Sequence, residues 1–168
     1  MHPIHTYLTK NDITKAVFVR LTRPSALFKA WLIWTVAVWA LLAFVRGVPT
    51  SQIDLLVLTI SAAGGALFSV SISLAFTLLR VRRAIKTGDG ILGDHDYEIT
   101  EQGLREHTSV NETLANWSRI KGVEKAKQFL FIELVSGSFH IIPRNSFTSI
   151  DDENCFVSAI QNYAKRNA

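Results

Sequence analysis

The sequence predicts an α+β protein: a hairpin of two transmembrane helices followed by a small antiparallel, β-rich domain with a C-terminal helix. Three observations predict it. Residues 55–79, LLVLTISAAGGALFSVSISLAFTLL, carry no charge at any position. A second apolar stretch, Ser25 to Val45, is broken only by Lys29. From Tyr97 onward, short alternating or β-branched runs are separated by Gly-, Ser- and Asn-containing turns.

A helix over 55–79, rising about 1.5 Å per residue, reaches about 37 Å and covers a hydrocarbon layer of about 30 Å with some tilt. A soluble amphipathic helix needs a polar face, and this stretch offers only Ser and Thr. The earlier stretch reads as a span over 24–46. Its Lys29 lies near one end, where the stem reaches head groups, and Trp31 and Trp34 sit close to the same boundary. It starts too far into the chain and runs too long for the apolar part of a signal peptide.

Residues 47–54 form a short external loop, which forces the two spans into an antiparallel hairpin. Lys15, Arg20, Arg23 and Lys29 flank it on one side, Arg80, Arg82, Arg83 and Lys86 on the other, and the connection has only Arg46. This bias places both termini in the cytoplasm of a two-pass protein. The four basic residues after the second span are candidates for contact with lipid head groups as well as for fixing topology. Inside that span, Ser61, Gly65, Ser69 and Ser73 recur every four residues as a helix-packing ridge. It serves either the hairpin's own packing or a homodimer seam. Neither span has an ionisable group in its middle, so proton-relay and ion-path markers are missing.

Charge divides the chain. Residues 88–168 carry 8 basic and 12 acidic side chains, whereas everything before them has 10 basic residues against Asp12 and Asp54. The high overall pI of about 9.4 therefore belongs to the membrane-flanking part, and the acidic C-terminal part is a poor nucleic-acid surface. A single cysteine, Cys155, excludes an intramolecular disulfide and a cysteine-based metal cluster.

Before the hairpin, residues 1–23 are polar. Asn11 or Asp12 caps a helix with Ile13, Ala16, Val17 and Arg20 at helical spacing, and Ile4, Tyr7 and Leu8 are too few for a strand. That helix either lies on lipid, with Val17, Phe18 and Leu21 inward, or packs on the C-terminal domain. After the second span, residues 80–93 read as a basic juxtamembrane linker whose KTGDGILG is turn-rich. The domain, 94–168, opens with a strand in which Tyr97 and Ile99 alternate with Asp96 and Glu98. Glu101-Gln102-Gly103 turns the chain, and Leu104 to Thr108 returns beside it. Asn111 to Trp117, Ile120 to Lys125, Phe129 to Leu134 and Phe139 to Ile142 follow as strands, ended by Pro143. Ser149, Asp151 or Asp152 caps a helix to about Lys165, with Phe156, Ile160 and Tyr163 on one face.

These residues resemble a known family. GDHDYEITEQGLRE, NWSRIKGV, FLFIEL and IIPRNSF before an acidic-capped helix are similar to the YcxB-like C-terminal domain. The matching positions include Tyr97, Gly103, Leu104, Trp117, Ile120, Val123, Pro143, Arg144 and Phe147, while Asn145 stands where the family often has a second basic residue. The resemblance implies a bacterial inner-membrane protein with two spans before this domain, and it implies no catalytic residue. The strand-rich body with a closing helix is also reminiscent of pleckstrin-homology-like folds, an analogy of fold alone.

No constellation for chemistry stands out. His95 shares a face with Tyr97 and Ile99, whereas His107 lies on the opposite face, so the two are not a ligand pair. His140 is expected to point outward between Phe139 and Ile141, and Trp117 to anchor the core. Cys155 neighbours no base, Asp151, Asp152 and Glu153 suit a helix N-terminus, and no phosphate-binding glycine motif or cofactor motif occurs. The expected function is therefore a membrane-anchored cytosolic binding module without catalytic activity, with the lipid bilayer and a protein as partners. The competing readings are an immunity-type protective protein against a membrane-acting toxin and an enzyme acting on lipid.

Overall fold

The computed structural model describes residues 3–86 and 90–167. Strand β1 (Ile4–Leu8) and helix α1 (Lys10–Leu21) lead into helices α2 (Pro24–Arg46) and α3 (Gln52–Ala84). Six strands follow: β2 (Gly93–Ile99), β3 (Gly103–Thr108), β4 (Glu112–Asn116), β5 (Ile120–Lys125), β6 (Phe129–Leu134) and β7 (Phe139–Pro143). Helix α4 (Ile150–Arg166) ends the chain. Residues 17–83 form one compact unit; those before 17 and those from 84 on form the other. The architecture is α+β, as the sequence predicts.

In the helical unit, Pro24 opens α2 with a ring that lacks the donor the first turn cannot use. No residue of α2 is buried, and Phe28, Ile33, Val36, Leu41 and Phe44 are each at least 60% exposed. A core helix of a soluble protein would hide such side chains. Both helices are long and apolar enough to cross a membrane. They touch along a face of α3 where Leu58, Ala62 and Ala66 are buried. A β-carbon on Gly65 would lie 3.4 Å from Val38, and the Trp31 indole donates to the Ala63 carbonyl at 3.3 Å.

Helix α3 differs from the expected span. Its 33 residues make it about 50 Å long, and Arg80, Arg82 and Arg83 lie on its last turns rather than in a linker. Arginine is a good helix former and a cation suits the C-terminal dipole, so the helix runs on through these residues to Ala84. Lys86 follows the helix end; residues 87–89 of the expected linker lie outside the described residues.

The other unit holds two antiparallel sheets, β1-β2-β3-β4 and β5-β6-β7. The expected strands from Tyr97 to Pro143 are present, with Trp117 in a short 3-10 turn rather than at the end of β4. Strand β1 was not expected. It pairs with β2 in the register Ile4↔Tyr97 through Leu8↔Gly93, burying Ile4, Thr6 and Leu8 and exposing His5 and Tyr7. Helix α1 is capped by Thr9 instead of Asn11 or Asp12: the Asp12 amide donates to Thr9 Oγ1 at 3.2 Å, and the Thr9 amide to the Asp12 carboxylate at 3.1 Å. This reciprocal pair satisfies two otherwise orphaned donors.

The core lies between the sheets and under α4. Tyr97, Leu104, Leu130, Ile132 and Ile142 meet Phe156 and Ile160 there. Trp117 is buried as expected, stacked on Tyr163 at 4.8 Å, with its indole donating to the Thr100 and Glu101 carbonyls. Strand β6 is buried on both faces, with Phe131 against Phe129 and Phe139 opposite the core side. Ser149 caps α4 by accepting from the Asp152 amide at 3.1 Å.

Candidate functional site

The cross-strand register places Tyr97 opposite Glu106 and Glu106 opposite Thr113, in one row across β2, β3 and β4. His95, two positions before Tyr97 on the same face, joins the row diagonally, and His140 reaches it from β7 of the other sheet. All converge on one carboxylate. Glu106 Oε1 accepts from Tyr97 Oη at 2.7 Å and lies 2.9 Å from His95 Nδ1. Oε2 accepts from Thr113 Oγ1 at 3.3 Å and lies 3.1 Å from His140 Nδ1.

Burial raises the Glu106 pKa, but the hydrogen bonds from His140, His95 and Tyr97, with the His140 charge, outweigh it and hold the carboxyl well below the usual carboxylate range. Tyr97 is pushed well above the usual phenol value, by burial first and by the adjacent carboxylate second. Tyr97 is therefore a fixed donor. A carboxylate only accepts, so each imidazole turns an Nδ1–H toward it. That leaves His95 Nε2 and His140 Nε2 buried with no hydrogen-bond partner among the described residues. Each carboxylate oxygen takes two donors, and one of the four comes from the second sheet, so Glu106 acts as a clasp between sheets.

His140 thus corrects the expectation that it faces outward: its side chain is only 14% exposed. The reason is the two-sided burial of β6 and β7. Phe139 packs on Phe131 at the outer face, so an apolar neighbour does not identify the solvent side. His95 and His107 do lie on opposite faces, His95 buried and His107 exposed.

Beside the clasp is a cavity of about 400 Å³. Glu106, His140 and Thr113 line it on one side, Leu114, Ala115, Leu134 and Val135 supply apolar wall, and Arg119 and Ser136 complete it. Three of its lining residues belong to β4, which among the described residues pairs only with β3. A cleft with an apolar wall and a few fixed polar groups is the usual form of a binding site. Sequence reasoning missed it because its residues come from four strands and two turns; the one available signal was the coincidence of His95, Tyr97 and Glu106 on neighbouring strands.

The residues singled out in the sequence lie elsewhere. Arg80, Arg82, Arg83 and Lys86 are all exposed, three of them on α3. Of the small-residue ridge, Gly65 and Ser69 are half-buried while Ser61 and Ser73 are exposed. Cys155 is exposed. No group of three or more metal-ligating side chains occurs among the described residues.

Residues 99–160 match the model of the YcxB-like protein family. Over 158 residues the chain is 24% identical to the uncharacterized protein YcxB of Bacillus subtilis (strain 168), covering 91% of this chain and 84% of that protein. The matched segment contains Glu106, His140 and every other residue lining the cavity.

Proposed function

We propose, for a chain whose segment 99–160 makes it a YcxB-like protein, a membrane-anchored binding role without catalysis. Helices α2 and α3 cross the bacterial inner membrane as a two-pass hairpin, and both termini lie in the cytoplasm. The β-rich domain presents the cavity beside β4 to a protein partner, whose extended segment adds to the free strand edge while an apolar side chain fills the pocket. One observation carries this reading: all the acceptor capacity of Glu106 near the cavity is already spent on protein donors. A general base needs a lone pair within reach of substrate, and this carboxylate has none to offer.

The test is crosslinking in intact membranes followed by affinity capture, with the chain cut after Lys86 as control. Leu114 is 42% exposed on the cavity wall, so Leu114→Arg blocks the groove without disturbing the core. A partner captured by the full chain, and lost with both the truncation and Leu114→Arg, is the expected result. Equal recovery with Leu114→Arg removes the groove from the interface.

A further inference from the structure

We propose that a second cavity, walled by Lys15, Lys127 and Arg144, is a binding site for a phosphate group. It measures about 390 Å³ and brings α1 together with the β5–β6 turn and the turn after β7. Arg144 is held there from behind. Its Nε donates to Glu153 Oε2 at 2.7 Å, and its backbone amide to the Gln128 carbonyl at 3.0 Å. The Glu153 side chain is only 4% exposed and its other oxygen lies 3.1 Å from Lys125 Nζ. A longer contact runs from its Nη1 to the Ala126 carbonyl at 3.5 Å. Together these contacts fix the guanidinium plane and leave Nη2 for a ligand.

Lys15 and Lys127 are exposed and have no acidic partner among the described residues. The Asp12 carboxylate at the same cavity is occupied by the Thr9 amide and hydroxyl. Counting Lys15, Lys125, Lys127 and Arg144 against Asp12 and Glu153, the cluster has four positive and two negative charges. Its surplus matches a phosphomonoester near its second ionisation. The Gln128 and Asn145 side chains at the rim add neutral donors. Two point charges, a planar fork and two amides, coming from three directions, suit a tetrahedral group with several acceptors better than a single carboxylate. The surrounding domain is acidic overall, so this is a local reversal of its field.

The phosphate is either a lipid head group or a soluble phosphomonoester, and the site does not depend on the proposed orientation in the membrane. The test uses the full chain in phosphatidylcholine nanodiscs, titrated with inorganic phosphate at constant ionic strength and followed by ³¹P line width. Saturable binding is expected, weakened at least tenfold in the Lys15→Ala/Lys127→Ala variant with its melting temperature unchanged. Line widths no different from a chloride control, or equal binding by the variant, overturn the proposal. Nanodiscs containing phosphatidic acid then separate the sources. Competition with inorganic phosphate identifies a head group, undiminished binding identifies a soluble ligand, and either result upholds the site.

Discussion

A single carboxylate, Glu106, joins three strands of one sheet to His140 of the other. Removing its charge strands the donors that it gathers. We expect Glu106→Gln to cost about 2–4 kcal/mol, because the new amide hydrogens face buried imidazole and phenol donors. Denaturant titration of the purified full chain checks this, and a loss below about 0.5 kcal/mol would show that the clasp is incidental. The pH dependence has a definite sign. A depressed folded pKa means that the carboxylate's contribution is complete above the unfolded carboxyl value of about 4.3 and fades as pH falls below it. The gap between wild type and Glu106→Gln should therefore narrow on acidification. None of this was legible at His140, where alternation with Phe139 and Ile141 pointed the ring outward. Alternation reports a face only when one side of the sheet is wet, and β7 has neighbours on both.

Elements were legible where local chemistry decides them. The β2–β3 and β6–β7 hairpins have turn residues between apolar runs, and α4 has Ser149 followed by three acidic residues. Ser149→Ala removes the cap on the Asp152 amide and should lower stability by about 1 kcal/mol. The turn into β3 is less forgiving. A β-carbon on Gly103 would come within about 3 Å of the Ala115 carbonyl and Asn116 of β4, atoms that pairing holds in place. Gly103→Ala should cost about 2–3 kcal/mol or prevent folding, and a melting temperature within a degree or two of wild type would refute that close approach. Strand β1 escaped sequence reading for a different reason. Thr6 sits on the buried side, where its hydroxyl accepts from Ser146, so the inward row Ile4-Thr6-Leu8 looks half polar. Its partner β2 is about ninety residues away, beyond any local signal. The length of α3 was also hidden, since a hydropathy run ends at Leu79 whereas a helix of arginines continues.

For the molecule as a whole, charge placement is the most legible feature, because it needs no tertiary contact to be read. Basic residues flank the apolar helices and the strand-rich domain is acidic. If both termini are cytoplasmic, Cys155, the single cysteine and an exposed one, is a native reporter. A membrane-impermeant maleimide should leave it unlabelled in intact cells and label it after permeabilisation. Exchanging Arg80, Arg82 and Arg83 for Gln should leave that pattern unchanged, since Lys15, Arg20, Arg23 and Lys29 still outnumber Arg46. Adding Val48→Lys, Thr50→Lys and Ile53→Lys to the same variant narrows the asymmetry to Lys15, Arg20, Arg23, Lys29 and Lys86 against Arg46 and the three new lysines, and should give a mixed population, with part of Cys155 labelled in intact cells. Labelling of the wild type in intact cells would reverse the orientation. It would carry the cavity beside β4 to the outer face with it, while leaving phosphate binding at Lys15 and Lys127 to be judged on its own titration.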